Sequence, residues 1–242
     1  MFLALDIGNS QVTCGIYDDG EWVHTLRIPS NLNFWNQFSS LQKYEITDAA
    51  ISSVVPKLTD VYIETIKNIF HLDAFVINHQ NVEIILDVDS PGEVGADRIC
   101  NTAAAVELAG CPAIVGDIGS ATNYDVIDEK GAFIGGAIAP GLEIAARNLF
   151  EKAALLKETA LTVPKSAIGR DTSTNLQSGI MFGAIDVIDG MFSRIQSETG
   201  WEQTHNILTG GFGELISPHL KTEHKLIPTL TLDGIRFIYK RQ

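Results

Sequence analysis

Thiols are scarce in this 242-residue chain: Cys14, Cys100 and Cys111 are its only cysteines, and no Cys-x-x-Cys spacing occurs. An odd count in a chain of this size does not suggest a disulfide framework, and the three read as core thiols. Long apolar runs are also missing. None approaches the ~18 residues of a membrane-spanning helix. Met1 to Asp6 has no basic region and meets an acid after five residues, so neither a signal peptide nor a membrane anchor is expected there, and a cytoplasmic location follows. Basic charge is in short supply, with 17 Lys and Arg against 30 Asp and Glu, a net charge of −13. The longest basic run is Lys240-Arg241. Nonspecific contact with nucleic acid or an anionic membrane surface is therefore not expected. The histidines at 24, 71, 79, 205, 219 and 224 show no metal-ligand spacing, and Trp22, Trp35 and Trp201 are too scattered for a base-stacking platform. What remains is 45% hydrophobic residues, 21 Gly and only 8 Pro, the composition of a packed globule of one large domain or two lobes.

Hydrophobic period sets out the elements. Strands are expected at Phe2 to Leu5, Val12 to Tyr17 and Trp22 to Ile28, the last two joined by a hairpin turn at Asp18-Asp19-Gly20. A short helix at Phe34 to Lys43 precedes a buried strand at Ala49 to Val54, and Leu58, Tyr62, Ile66 and Ile69 recur at helical spacing. Ala74 to Ile77 and Val82 to Leu86 are strand-like, and Val94 to Leu108 is a helix with Asp97 in its first turn. Strands at Ala113 to Val115, Tyr124 to Ile127 and Ala132 to Ile138 follow. Helices come next at Gly141 to Leu155 and Ser173 to Thr199, then a strand at Asn206 to Leu208 and an amphipathic end at Leu230 to Tyr239. A shift of 111 residues lays Asp6-Ile7-Gly8 on Asp117-Ile118-Gly119, Ile16 on Ile127 and Gly20 on Gly131. Both halves thus carry strand, Asp-Ile-Gly turn, strand, acidic Gly turn, strand. This internal duplication predicts two α/β lobes, 1–110 and 111–242, with a central cleft between them.

Three segments carry chemistry. In Asp6-Ile-Gly-Asn-Ser10 an acid at a strand end offers a carboxylate to hydrated Mg²⁺, and Gly8 lets backbone N–H groups approach phosphate. Alone it reads first as an Asn-Ser turn with Asp6 as its cap. Its echo at Asp117-Ile-Gly-Ser-Ala-Thr122 adds a second turn of the same kind, as in the actin, sugar-kinase and heat-shock ATPase fold. In Pro91-Gly-Glu-Val-Gly-Ala-Asp97-Arg98 an acid stands beside a guanidinium at a helix start opened by Gly95. Such an acid takes a proton from a substrate hydroxyl while the Arg holds a carboxylate, or it merely offsets the helix dipole.

These segments, with Gly135-Gly-Ala-Ile-Ala-Pro140-Gly, Ile168-Gly-Arg-Asp-Thr172, Gln177-Ser-Gly179, Thr209-Gly-Gly211 and Leu230-Thr-Leu-Asp-Gly-Ile235, resemble in order and spacing the type III pantothenate kinases over almost the whole chain. The resemblance implies a duplicated actin-like (ribonuclease H-like) fold, a homodimer, and ATP-dependent phosphorylation of pantothenate, the first step of coenzyme A synthesis. By the same resemblance the turn Asp6, Ile7, Gly8, Asn9, Ser10, Gln11, Val12 and Thr13 holds ATP phosphates, with Asp6 reaching Mg²⁺ through water. Ser120 contacts ATP. Gly95, Ala96, Asp97 and Arg98 line the pantothenate site, with Asp97 the proton acceptor. Asp117 takes the place of a monovalent-cation ligand (K⁺ or NH₄⁺), and Thr172 falls where the family binds pantothenate beside a partner subunit.

The chain departs from the family pattern at Ser120 and Asn123, where Thr is common, and at Val88, where a Tyr often contacts pantothenate. Val88 leaves room for a kinase of another small hydroxy acid, and the family also holds proteins first described as transcription accessory factors. The charge of −13 argues against DNA contact, and the intact Asp97-Arg98 pair against a degenerate site. Ile180, Ala184, Val187, Ile188 and Met191 form an apolar stripe on the long helix, expected in or beside the dimer interface.

Overall fold

A computed structural model describes residues 1–31, 35–153 and 155–242, with the side chains of all of these except 35 and 36. Phe34, Ala154 and the Trp35 side chain, each part of an expectation above, lie outside the described residues.

The duplication is visible in the strand order. The first sheet comprises β1 (Phe2–Ile7), β2 (Gln11–Asp18), β3 (Glu21–Pro29), β4 (Asp48–Ser53) and β5 (Phe75–Val76), in the order β3-β2-β1-β4-β5. The second comprises β6 (Ala113–Ile118), β7 (Ala121–Ile127), β8 (Phe133–Pro140), β9 (His205–Thr209) and β10 (Lys225–Leu226), in the order β10-β9-β6-β7-β8. Replacing each strand of the first sheet by the one five places later gives the order of the second. The senses match as well: β1 runs antiparallel to β2 and parallel to β4, and β6 runs antiparallel to β7 and parallel to β9. The fold is α/β with two five-stranded mixed sheets.

The helices are α1 (Trp35–Ser39), α2 (Pro56–Phe70), α3 (Ala96–Leu108), α4 (Leu142–Lys152), α5 (Thr172–Thr199), α6 (Gly213–Ile216) and α7 (Leu230–Tyr239). Pro56 at the first position of α2 and left-handed His71 at its end fix that helix's limits. Alternation along β1 divides the core of the first sheet in two. Leu3, Leu5 and Ile7 pack with Leu58, Tyr62 and Ile66 of α2, whereas Ala4 packs with Ile99, Cys100 and Ala103 of α3 and with Leu232 and Ile235 of α7. Ala4 and Ala50 are small, which lets two helices lie on that face. In the second sheet Ile114, Ile118 and Leu208 meet Met181, Ile185, Ile188 and Phe192 of α5.

The chain forms two compact units. One contains Met1–Ala109, Gly131–Phe133 and Thr229–Gln242, and the other contains Gly110–Lys130 and Ile134–Pro228. The expected division at 110/111 put residues 229–242 with the second half, but α7 returns to the first unit. Its Gly234 packs so closely on α3 that a Cβ there would overlap the Cys100 carbonyl oxygen. Trp22 Nε1–H donates to Asp233 at 2.9 Å, and Tyr239 O–H to Asp48 at 2.6 Å.

Four local expectations are corrected. Val82 to Leu86 is not a strand: Val82, Ile84 and Leu86 pack on the α3 and α7 cluster, but the only ladder contact there is the Leu86–Phe133 bridge, and Ile85 is 63% exposed. The helix after residue 34 breaks into α1 and a 3₁₀ turn at Ser40–Lys43. Cys111 is half-buried rather than core, its thiol donating to the Glu129 carbonyl at 3.2 Å. The stripe expected on α5 splits: Ile188 is buried in the core of its own unit, while Val187 is 54% exposed.

Candidate active site

Asp6 follows Ala4 by two residues on β1 and so faces α3. Parallel pairing sets Asp6 opposite Ser52 of β4, on the same face as Ala50. Ser52 is fully buried, and its hydroxyl donates to Asp6 Oδ1 at 3.2 Å. The turn after β1 closes through Gly8 N–H to the Gln11 carbonyl at 3.0 Å, and the Ser30 hydroxyl donates to the Gly8 carbonyl at 2.6 Å. Asn9, Ser10 and Gln11 are exposed at its tip, and Gly8 and Thr13 are half-buried. Ile7 and Val12 are fully buried in the core, so they present backbone, not side chains, to any ligand at the turn.

Asp97 is the second residue of α3, which Gly95 caps without any side-chain hydrogen bond. Its Oδ1 accepts the Arg98 backbone N–H at 2.8 Å. Burial pushes its carboxyl above the ordinary value, with that N–H and the Arg98 guanidinium acting in the opposite direction. A Cβ at Gly95 would overlap Asp97 Oδ1, so glycine is required there for the carboxylate to keep its place. Ala96 is buried, again leaving only backbone to offer. The Arg98 guanidinium lies over the Phe133 ring, 4.9 Å from its centroid. Cys100, one turn further along α3, is held above its ordinary thiol value by burial and then by the charges of Asp6 and Asp97, and it is hydrogen-bonded to Ser52. The charges of Asp6 and Asp97, 91 positions apart in sequence, thus both act on one buried thiol.

The second unit repeats the first turn. Asp117 on β6 pairs with Asn123 of β7 and Thr209 of β9, where Asp6 pairs with Thr13 and Ser52. Gly119 N–H closes the turn on the Ala121 carbonyl at 3.0 Å, and Gly141 N–H donates to the half-buried Ser120's carbonyl at 3.1 Å. Gly210 has φ +90, and a Cβ on it would stand 2.5 Å from both Asp117 Oδ1 and Ile118 N. Glycine there leaves a small cradle beside the carboxylate, with the Ser120 carbonyl close in sequence. Thr172 opens α5 in an exposed position, behind a capping box in which Asp171 accepts the Thr174 N–H at 2.8 Å.

Among the described residues no cluster of three His, Cys, Asp or Glu side chains forms a metal cage. Asp6, its carboxylate held by Ser52, offers a single carboxylate at the turn, and Mg²⁺ of the kinase type takes one or two carboxylates and completes its shell with water and substrate phosphates. Ser52 and Cys100 were not singled out by the motifs. The only sequence signal for Ser52 is a small polar residue directly after the apolar run Ala49-Ala50-Ile51.

Two neighbours share this fold. A Baf-family transcriptional activator from Campylobacter jejuni matches 99% of this chain and 98% of its own at TM-score 0.64 and 19% identity. A 2-dehydro-3-deoxygalactonokinase from Sinorhizobium meliloti matches 100% and 96% at TM-score 0.57 and 11% identity. With its doubled sheet and paired Asp-Ile-Gly turns, the chain has the two-lobed fold of the actin-like ATPases and sugar kinases. A sequence model of the type III pantothenate kinases matches residues 2–194. A type III pantothenate kinase of Thermomicrobium roseum is 40% identical over 253 aligned positions, covering 100% of this chain and 97% of its own length. That of Moorella thermoacetica is 38% identical, covering 100% and 99%. The chain belongs to the type III pantothenate kinase family, which makes it a phosphotransferase.

Proposed function

We propose that this protein transfers the γ-phosphate of ATP to the primary hydroxyl of pantothenate, giving 4'-phosphopantothenate for coenzyme A synthesis, with Asp97 as proton acceptor. The observation that carries the reading is Asp97 itself, a half-buried carboxylate at a helix start, its place beside a guanidinium left open by Gly95. Phosphoryl transfer is loose and in line, so the protein chiefly positions two oxygens and neutralises charge. The pantothenate oxygen bonds to phosphorus as the bond to the ADP oxygen breaks, and the hydroxyl proton passes late to the Asp97 carboxylate. Gly95 and Ala96 line the acceptor pocket with backbone, and Arg98 holds the pantothenate carboxylate, its guanidinium steadied on Phe133. Thr172, by its place in the family pattern, meets pantothenate beside a partner subunit.

The turn from Asp6 to Thr13 receives the ATP phosphates, and the Ser120 hydroxyl contacts the nucleotide. Mg²⁺, when bound, supplies positive charge to the phosphates; Asp6 holds it through water. Asp117 with the Gly210 cradle holds K⁺ or NH₄⁺. The working unit is a homodimer joined along α5, supported by the exposed Val187 and by exposed Gly179, Gly183 and Gly190, where an added Cβ meets nothing of its own chain. The protein acts in the cytoplasm, and no helix among the described residues is long and apolar enough to cross a membrane.

The test is ADP release from ATP with and without pantothenate, K⁺ and a chelator. The expected result is release that requires pantothenate and a divalent ion and rises with K⁺. Release with another small hydroxy acid but none with pantothenate would overturn the substrate, and full rate in excess chelator would overturn the role of Mg²⁺.

A further inference from the structure

Ser52 follows three apolar, buried residues of β4, Ala49, Ala50 and Ile51, and is as buried as they are. An alanine would satisfy the packing there, and a buried hydroxyl without a partner is unfavourable. This hydroxyl has two partners. Its proton goes to Asp6 Oδ1 at 3.2 Å, and it is hydrogen-bonded to the Cys100 thiol. A serine hydroxyl carries one proton, already given to the carboxylate, so the thiol must donate to Ser52 Oγ. The hydrogen bonds therefore run in one direction, from the Cys100 S–H to Ser52 and from the Ser52 O–H to Asp6. Each link joins a different element: Cys100 sits on α3 one turn after Asp97, Ser52 on β4 and Asp6 on β1.

We propose that Ser52 is a positioning residue of the kinase, and that the Cys100–Ser52–Asp6 chain ties the phosphate-binding turn to the helix that carries the proton acceptor. The proposal rests on the roles given above to Asp6 and Asp97. Its physical content is register. In-line transfer needs the acceptor oxygen and the phosphorus within about 3–3.5 Å before reaction, and small misplacements are costly. A carboxylate that must hold a hydrated ion also works best when its rotamer is fixed beforehand by a hydrogen bond behind it. Ser52 meets both requirements, because it fixes Asp6 from the core side and couples that carboxylate to the backbone segment of Asp97. The second unit has a residue at the matching position: Thr209, 2% exposed, stands opposite Asp117 as Ser52 stands opposite Asp6.

Four variants decide it: Ser52→Ala, Cys100→Ala, the double variant and Asp6→Asn. Each is measured for melting temperature, kcat, pantothenate KM and calorimetric affinity for a non-hydrolysable ATP analogue with Mg²⁺ in the absence of pantothenate. Ser52→Ala is expected to melt close to wild type, to lose about tenfold in kcat and several-fold in analogue affinity, and to keep its pantothenate KM within about twofold. Cys100→Ala loses less, and the double variant loses no more than Ser52→Ala alone, because both remove one chain of bonds. A folded Ser52→Ala with wild-type kcat and analogue affinity, or losses that add in the double variant, would overturn the proposal. Should Ser52→Ala fail to fold, Cys100→Ala decides alone: reduced kcat at unchanged KM supports the chain, and wild-type kcat refutes it. Asp6→Asn separates the two levels. If it is inactive while Ser52→Ala is unimpaired, only the positioning role fails; if it turns over like wild type, the reading of Asp6 fails, and the proposal fails with it.

Discussion

Asp97 is under two opposed demands. The start of α3 favours a negative charge, yet burial raises the carboxyl above its ordinary value. A folded-state value above the unfolded one means that the fold favours the neutral acid. That contribution is complete below the ordinary carboxylate range and is lost as pH rises through the raised value. Asp97→Asn imitates the neutral form and keeps an oxygen for the Arg98 N–H. At pH 7 it is expected to melt no lower than wild type, with any advantage shrinking as pH falls into the ordinary carboxylate range. Its turnover should fall roughly 10²- to 10⁴-fold with ATP-analogue binding retained. Near wild-type turnover would remove Asp97 from the mechanism. The same shift places the acidic limb of the kcat/KM profile above the ordinary Asp range, and a limb within that range would contradict it. Asp6, Asp97 and Asp117 were legible in the sequence because each stands in a short pattern of glycine and small polar residues. Ser52 was not, because its partner lies 46 residues away and meets it only through the β1–β4 register.

At the scale of elements, the doubled strand order was legible because Asp-Ile-Gly turns and acidic Gly turns punctuate both halves at one shift. Pairing was less so. Val82, Ile84 and Leu86 keep the alternation of a strand, but a ladder needs a partner of equal length, and only Phe133 is there. The helix at Leu230 to Tyr239 was evident from its apolar period, whereas its return to the first unit depends on contacts with residues over a hundred positions earlier. Gly234 is the tightest of these. Replacing it with alanine puts a methyl group against the Cys100 carbonyl and pushes α7 away from α3. Overpacking of that kind costs about 1–3 kcal/mol. Gly234→Ala should lower the denaturant midpoint accordingly, and an unchanged midpoint would show that the two helices are not held at that spacing.

For the whole molecule, the proposed dimer turns on α5, which presents two adjacent stripes. Met181, Ile185, Ile188 and Phe192 fill the core of the second unit, while Ile180, Ala184 and Met191 are half-buried and Val187 is exposed. Hydrophobic period alone merged the two, because residues 187 and 188 are both apolar and only packing tells them apart. The exposed glycines at 179, 183 and 190 belong to the same question. Each costs about 1 kcal/mol relative to alanine in a helix interior, a cost that close approach by another copy would offset. In a dimer across a two-fold axis the exposed stripe meets its own copy, so Val187→Asp sets two charges near each other in apolar surroundings. That variant should sediment as a monomer at micromolar concentration and melt near wild type. It should also show a raised pantothenate KM, since the Thr172 pocket is then left without its partner. Ile188→Asp instead buries a charge in the core and should unfold the second unit. The two substitutions are adjacent in sequence and predicted to differ in kind. A Val187→Asp protein that remains dimeric with wild-type KM would move the interface off this face of α5. One that is monomeric with wild-type KM would keep the dimer there and free the pantothenate site from dependence on it.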